Sequence, residues 1–551
     1  MNMRWREKKL FQIINRNKKI IVLIIILLIL INILNVIAPY ILKLIIDEFS
    51  QNIEINRIMF LVSIYLLARI GIILIKAVKN KKTNFVSNKM LSELRDTMLN
   101  KILAMKLETF NKFSSSDIYT RLTLDAENVK SLFSDNIPIV LNDILHILLM
   151  IIVMLIIDIK LALIGIIIIT IIASYSYMLI NKLNKIDKVT LDKRDLENRR
   201  YSEDYNKSKL TKFFSLEEKN IEKVDNLLDE ELKNRFKYIS LNSFLWPMGV
   251  LLESIGIYAI LYYALNINIT YSLGTLYIFL YYIKQCFNPL KEIFNQIEEI
   301  QEATVSLERI NTILKIKEKE DIYVGYIIEK FKGNIEFDDV SFAYGKKDVF
   351  KNATFKINQG EKVAIIGKTG VGKTTMTQAL MLLYPIKEGT ITIDGFDIEQ
   401  ISIESIRHNI SYISQEAYVL NDTLRRNILL NKTDISDEQI LDIIDKIGAN
   451  PLLSRLENGL DEVINVNRLS KGELQIIAFI RAIIHEASIY IFDEPTSNID
   501  LRTEKMIQSI IDKISQTSTV LIIAHRLATI KNVDKIIEIK DGSVNVIMQK
   551  V

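Results

Sequence analysis

Nine consecutive residues concentrate the chemistry of this chain: Gly367, Lys368, Thr369, Gly370, Val371, Gly372, Lys373, Thr374 and Thr375. They satisfy the phosphate-loop pattern G-x-x-x-x-G-K-[ST], whose glycines let successive backbone N–H groups curl around phosphate oxygens. Lys373 then reaches the β- and γ-phosphates, and the Thr374 hydroxyl stands where it can ligate Mg²⁺. An apolar run at 363–366 leads into the loop and a helical stretch follows. That is the context in which the pattern binds ATP with Mg²⁺.

Two further strand ends carry reactive groups. The apolar run 489–492 ends in Asp493 and Glu494. Adjacent carboxylates are usually a solvated turn, but behind a phosphate loop they have separable tasks. Asp493 holds Mg²⁺ or its water shell, and Glu494 positions or deprotonates the attacking water. The run 519–523 ends in Ala524 and His525. A lone histidine there reads as structural or, in this setting, as a γ-phosphate contact or an orienter of Glu494.

These groups need a scaffold, and from about residue 333 short β-rich runs alternate with glycine turns and helical stretches, an α/β pattern. The boundaries read as a membrane domain over 1–310, a linker over 311–332 and a nucleotide-binding domain over 333–551. The chain is 49% hydrophobic with a mean hydropathy of +0.20, and its apolar residues crowd into the first 290 positions. A soluble multidomain protein spreads them more evenly. Six segments, near 20–46, 57–78, 137–157, 161–181, 246–266 and 271–290, are long enough for a bilayer, which needs roughly 20 residues of helix. Short links join them in pairs. The links 79–136 and 182–245 are long, charged and helical in periodicity, so they extend the membrane helices.

Lys76, Lys79, Lys81 and Lys82 follow the second segment, Lys182, Lys185 and Lys188 follow the fourth, and basic residues precede the first. This bias places the N-terminus and both long links in the cytoplasm. The first apolar run is too long for a signal-peptide core and lacks Ala-x-Ala at its end, so it reads as a retained helix. Residues 4–14 read equally as an interfacial helix or a basic tail. Within the apolar segments Arg69, Asp143, His146, Glu253 and Lys284 either line a substrate path or form structural pairs. A net charge of +4 over 551 residues makes no case for a nucleic-acid partner. Cys286 alone excludes an intrachain disulfide, and four scattered histidines form no metal pattern.

Taken together, these residues and the helix order resemble the ABC transporter superfamily over essentially the whole chain, in particular exporter-type half-transporters of the bacterial multidrug and peptide kind. The resemblance implies an all-α six-transmembrane-helix domain with long cytoplasmic extensions, followed by an α/β P-loop NTPase domain of the ABC type. In Val340-Ser-Phe-Ala-Tyr344 it assigns Tyr344 to stack on adenine. It assigns Gln415, in Ile413-Ser-Gln415, to sense Mg²⁺ and the attacking water. Asp500 falls in a loop crossing a dimer interface, and His525 matches the switch histidine. Segments near 110–125 and 204–216 resemble coupling segments that dock on the ATPase domain; an ordinary charged helix is the other reading of each.

The signature departs from the family's Leu-Ser-Gly-Gly-Gln: here it reads Leu469, Ser470, Lys471, Gly472 and Glu473. In the family this turn closes over the γ-phosphate held by a second ATPase domain. Lys471 brings a long side chain to a glycine position, where it crowds the interface or helps to hold phosphate. The resemblance therefore implies ATP hydrolysis at sites shared by two chains, as a homodimer or as a heterodimer with a second half-transporter. It also implies a multi-pass place in a bacterial plasma membrane with the ATPase domain cytoplasmic, and export of a small amphipathic molecule or peptide by alternating access, or lipid flipping. A soluble ATPase would leave the apolar helices unexplained. An ATP-gated channel would have no use for Glu494 and His525.

Overall fold

The computed structural model describes residues 17–51, 54–206, 208–266, 271–316, 319–345, 347–430, 432–495, 499, 501–524 and 533–549. The chain divides into two compact units, Met1–Leu103 with Ser114–Ile316, and Ala104–Phe113 with Lys317–Val551. The basic stretch 4–14 lies outside the described residues.

The first unit is helical. The apolar segments fall in α1 (Lys18–Gln51), α2 (Ile55–Leu103), α3 (Ile137–Ile157), α4 (Ile159–Asn206), α5 (Leu245–Asn266) and α6 (Leu273–Leu314). With 49 residues in α2 and 48 in α4, these are rods of about 70 Å, over twice the roughly 30 Å of hydrocarbon in a bilayer. Among the described residues, five helices are long and apolar enough to cross a membrane. The sixth expected span, on α6, falls short because Tyr277, Tyr281, Tyr282, Lys284 and Gln285 interrupt it, and three of these line a polar chamber. Outward-facing Ile25, Ile26 and Ile29 on α1 and Phe60, Leu67 and Ile70 on α2 are exposed, a surface suited to hydrocarbon. Inside, Met150, Met154, Leu161, Ile172, Ile260, Phe279 and Ile283 pack α3 to α6 together. In a bilayer such packing holds by close contact more than by exclusion of water.

The second unit contains ten strands among the described residues. They are β1 (Ile335–Tyr344), β2 (Lys347–Ile357), β3 (Lys362–Gly367), β4 (Glu388–Ile393), β5 (Phe396–Asp397), β6 (Ile410–Ile413), β7 (Ile489–Asp493), β8 (Thr519–Ile523), β9 (Lys535–Lys540) and β10 (Ser543–Gln549). One sheet is antiparallel in the order β2-β1-β4-β5; the other runs β10-β9-β3-β8-β7-β6, parallel from β9 to β6. Every residue of β7 and β8 is buried, as expected for parallel strands covered on both faces, and this is why they read as unbroken apolar runs. Helices α7 (Lys373–Leu380), α8 (Lys471–His485) and α9 (Leu501–Ile514) flank the sheets. Residues 104–113 of the first long link belong to this unit: Glu320 N–H donates to Ala104 O at 2.9 Å, and the Asn111 amide to the Tyr384 hydroxyl at 2.7 Å.

Candidate active site

Neighbouring parallel strands in the spatial order β3-β8-β7-β6 bring their carboxyl ends to one edge. These ends deliver the phosphate loop after β3, Asp493 and Glu494 at β7, and Ser414 and Gln415 after β6. This edge of a parallel sheet is where ligands of such folds bind.

The phosphate loop is set by its backbone. Gly367 and Gly372 have φ of +148° and +109°. A Cβ at Gly367 would run into the Ile539 carbonyl, and one at Gly372 into Val349, so both positions require glycine sterically as well as conformationally. Lys373 is buried at the start of α7, its ammonium donating to the carbonyls of Gly367 and Lys368 at 3.0 Å each. Burial pushes that ammonium below the usual lysine range, against the opposing pull of the Glu494 and then the Asp493 carboxylate.

At the neighbouring strand ends the carboxylates are held. The Thr374 hydroxyl donates to Asp493 Oδ2 at 2.9 Å, and the Tyr412 hydroxyl donates to the same oxygen at 2.9 Å. Burial, then the Asp493 charge, raises the Tyr412 phenol above its ordinary value, so it stays a donor. Glu494 sits at φ +47°, with its N–H on Ile523 O at 3.1 Å, and its carboxylate accepts the Gln415 amide at 3.0 Å. Gln475 on α8 donates to the Gln415 carbonyl at 2.9 Å. Tyr344 is exposed; its ring stands edge-on to Tyr384 at 5.3 Å, and its hydroxyl lies 3.3 Å from Thr375 and Gln378. Lys373, Thr374, Gln415, Asp493 and Glu494 thus meet at one edge, while His525 and Asp500 lie outside the described residues. Tyr412 and Gln475 were not anticipated from sequence. The signal for Tyr412 is its place one residue before the end of β6, paired with Ile491 on β7 two residues before Asp493.

The signature turn is also built. Ser470 caps α8: its hydroxyl accepts Glu473 N–H at 3.3 Å, while Glu473 Oε2 accepts both the backbone N–H and the hydroxyl of Ser470 at 2.8 Å. Arg455 pairs with the other oxygen of Glu473. Gly472 is buried, and a Cβ there would stand 3.2 Å from Thr503, whereas Lys471 is exposed. Packing within the chain is therefore tight at 472, where a larger residue would press on the Thr503 side chain, and open at 471.

The donors suit Mg²⁺. Thr374, Asp493 and Gln415 present hard oxygens and few charges, as fits an ion that keeps water and takes phosphate oxygens. Bound there, Mg²⁺ would neutralise charge on the phosphates. With Lys373 for the phosphates and Glu494 braced by Gln415 for water, this edge can bind and hydrolyse a nucleoside triphosphate.

Fold and site together define a P-loop ATPase domain joined to a helical membrane domain. Residues 21–290 match the family model of the ABC transporter transmembrane region, and residues 350–497 match that of the ABC transporter ATPase. A probable multidrug resistance ABC transporter ATP-binding/permease protein, YheH of Bacillus subtilis, is 27% identical over 466 residues, covering 83% of this chain and 69% of the relative. The ATP-dependent lipid A-core flippase of Escherichia coli K12 is 28% identical over 484 residues, 86% of this chain and 83% of the flippase. The flippase of the same description from Desulfotalea psychrophila is 32% identical over 342 residues, 61% of this chain and 60% of that one. The chain is a member of the ABC transporter superfamily with fused membrane and ATPase domains, resembling bacterial half-transporters. It is an ATP-hydrolysing, multi-pass plasma-membrane transporter, and its half-transporter architecture implies pairing with another half-transporter.

Proposed function

We propose that this chain exports or flips an amphipathic molecule or lipid, using ATP bound and hydrolysed at two sites shared between paired half-transporters. The observation that carries the ATPase part is the pair of contacts Thr374–Asp493 and Gln415–Glu494 beside Lys373. In this reading Lys373, the loop N–H groups and Thr375 hold the phosphates, Tyr344 stacks on adenine, and Thr374, Gln415 and Asp493 hold Mg²⁺. Glu494 orients or deprotonates the attacking water, His525 contacts the γ-phosphate, and Asp500 crosses to the partner. Ser470, Lys471, Gly472 and Glu473 close over the partner's nucleotide. The Asn111–Tyr384 contact supports a coupling role for the segment near 110–125, since Tyr384 abuts Tyr344. The multidrug and lipid-flippase relatives favour a drug or a lipid as cargo over a peptide.

The purified chain, reconstituted alone in vesicles, should hydrolyse ATP, lose that activity on Glu494→Gln, and move a fluorescent lipid or drug away from the side bearing the ATPase domain. Hydrolysis without any flux would overturn the transport reading. A chain inactive alone but active with a second half-transporter would establish a heterodimer, for which the unusual signature is the motive.

A further inference from the structure

Within the helical unit, residues of α1, α2, α3 and α6 line a cavity of about 750 Å³, a size that suits small-molecule sites, and a smaller chamber of about 270 Å³. Asn35, Arg69 and Asn142 line both. Of the five ionisable residues singled out in the apolar segments, Arg69, Asp143 and His146 come together here, and Glu253 and Lys284 do not.

Two features of this space call for a ligand. The first is charge. Arg69, Lys76 and Lys79 line the larger cavity with Asp135, Asp143 and Glu292, three cations against three carboxylates. Among the described residues none of the six is ion-paired. Arg69 is steered by the Tyr65 hydroxyl at 3.1 Å and Asp143 by the Asn142 amide at 3.0 Å. Ionisable groups in a membrane domain are costly and are retained where they serve a path or a ligand. The second feature is an unfilled acceptor. Asn32 is fully buried and gives its amide protons to Leu28 O and Asn142 Oδ1 at 3.0 Å each, yet among the described residues its own Oδ1 has no donor and His146 Nδ1 has no partner. A buried acceptor bears the cost of its lost water unless a proton is brought to it.

We infer that this space takes a zwitterionic head group, an ammonium with N–H bonds beside a phosphate or carboxylate. The inference rests on the transport reading and names its cargo class. The Arg69 fork, which borders both spaces, suits the anion, and an ammonium finds acceptors in Asn32 Oδ1 on the smaller chamber and the Asp143 carboxylate on the larger cavity. A purely anionic head would meet three carboxylates and a purely cationic one three cations. A quaternary ammonium has no proton for Asn32. An aminophospholipid and a free peptide both carry the required chemistry.

The test is calorimetric titration of the full-length chain in detergent, without nucleotide. The probes are dihexanoylphosphatidylethanolamine, dihexanoylphosphatidylcholine, dihexanoylphosphatidylglycerol, trialanine and trialanine amide. The ethanolamine lipid, or trialanine, should bind at least about tenfold more tightly than its counterpart lacking N–H protons, cation or anion. Asn32→Ala should bring the ethanolamine lipid down to the choline lipid, and Arg69→Gln should erase the preference of trialanine over its amide. Arg69→Lys, which keeps the charge without the fork, should give intermediate values and guards against misfolding of the glutamine variant. Ethanolamine lipid binding without trialanine assigns a lipid source, and the reverse assigns a water-soluble one. Equal affinities across the lipids, a preference for the glycerol lipid, or selectivity unchanged in both Arg69 variants would overturn the inference. Because binding is read without hydrolysis, hydrolysis without any flux in vesicles would remove the transport reading and leave this result standing.

Discussion

Helices α7 and α8 both begin at a lysine behind a tight turn, and they dispose of their first backbone donors in opposite ways. The cap of α7 is Gly372, which has no side chain to offer, so the N–H groups of the first turn remain for an anion. The cap of α8 is Ser470, which closes a reciprocal box with Glu473, and a carboxylate already occupies the positive end of that helix. One turn is completed by its ligand; the other is complete in itself. A phosphate brought to α8 by a second chain has to compete with Glu473.

The largest effect expected is from Glu494→Gln, a loss of about 10²–10⁴ in kcat with ATP still bound, read by steady-state hydrolysis beside equilibrium binding. Next, Gly372→Ala combines a left-handed φ with a collision at Val349, and should destabilise the fold by about 1–3 kcal/mol and weaken ATP binding. Ser470→Ala should cost about 1 kcal/mol in stability and, through the shared site the serine helps to close, weaken ATP binding less than Gly372→Ala does. Denaturation midpoints and nucleotide titrations check both. Unchanged ATP affinity in Gly372→Ala would break the comparison, because the open turn would then not be the phosphate site.

What could be read from residues alone follows the same physics. Strands β3, β7 and β8 were visible because burial on both faces makes them continuous apolar runs, and the phosphate loop because its glycines are sterically obligatory. Strand β2 was hidden by alternation, with Lys347, Lys351, Asn352 and Lys356 on its exposed positions. Strand β6, four residues long, gives too short a signal. Tyr412 and Gln475 act through residues 81 and 60 positions away in sequence, and no local pattern encodes such contacts. Arg455 reaches the signature in the same way, across 18 positions. The segment 271–290 read as a sixth span on its apolar residues, and which of its polar residues line a chamber depends on neighbours on other helices.

The signature offers a finer probe of the comparison. Glu473→Gln keeps atoms for the capping box but removes the charge at the helix end, and should raise ATP turnover about two- to fivefold by easing phosphate approach. Arg455→Ala leaves the Glu473 charge uncompensated and should lower turnover by a similar factor. A fall on Glu473→Gln would show that the carboxylate serves the closed site, and the contrast between the two helix ends would lose its functional meaning.

The smallest effect expected is a pH shift that separates the two turns. Burial depresses the Lys373 ammonium below the ordinary lysine value of 10.5, and the Glu494 carboxylate is the first charge holding it up. Phosphate binds the protonated form, so ATP affinity should decline as pH rises through the free-protein value of Lys373, which places the alkaline limb below 10.5. Glu494→Gln removes the supporting charge, and the limb should move to still lower pH, even as affinity near neutrality rises with the loss of a like charge beside the phosphates. Glu473→Gln, on the self-capped helix, should leave the limb in place. Nucleotide titrations across about pH 7 to 10 read both arms. A limb that moved with Glu473 and not with Glu494 would assign the phosphate-sensing charge to α8, reversing the roles given to the two helix ends.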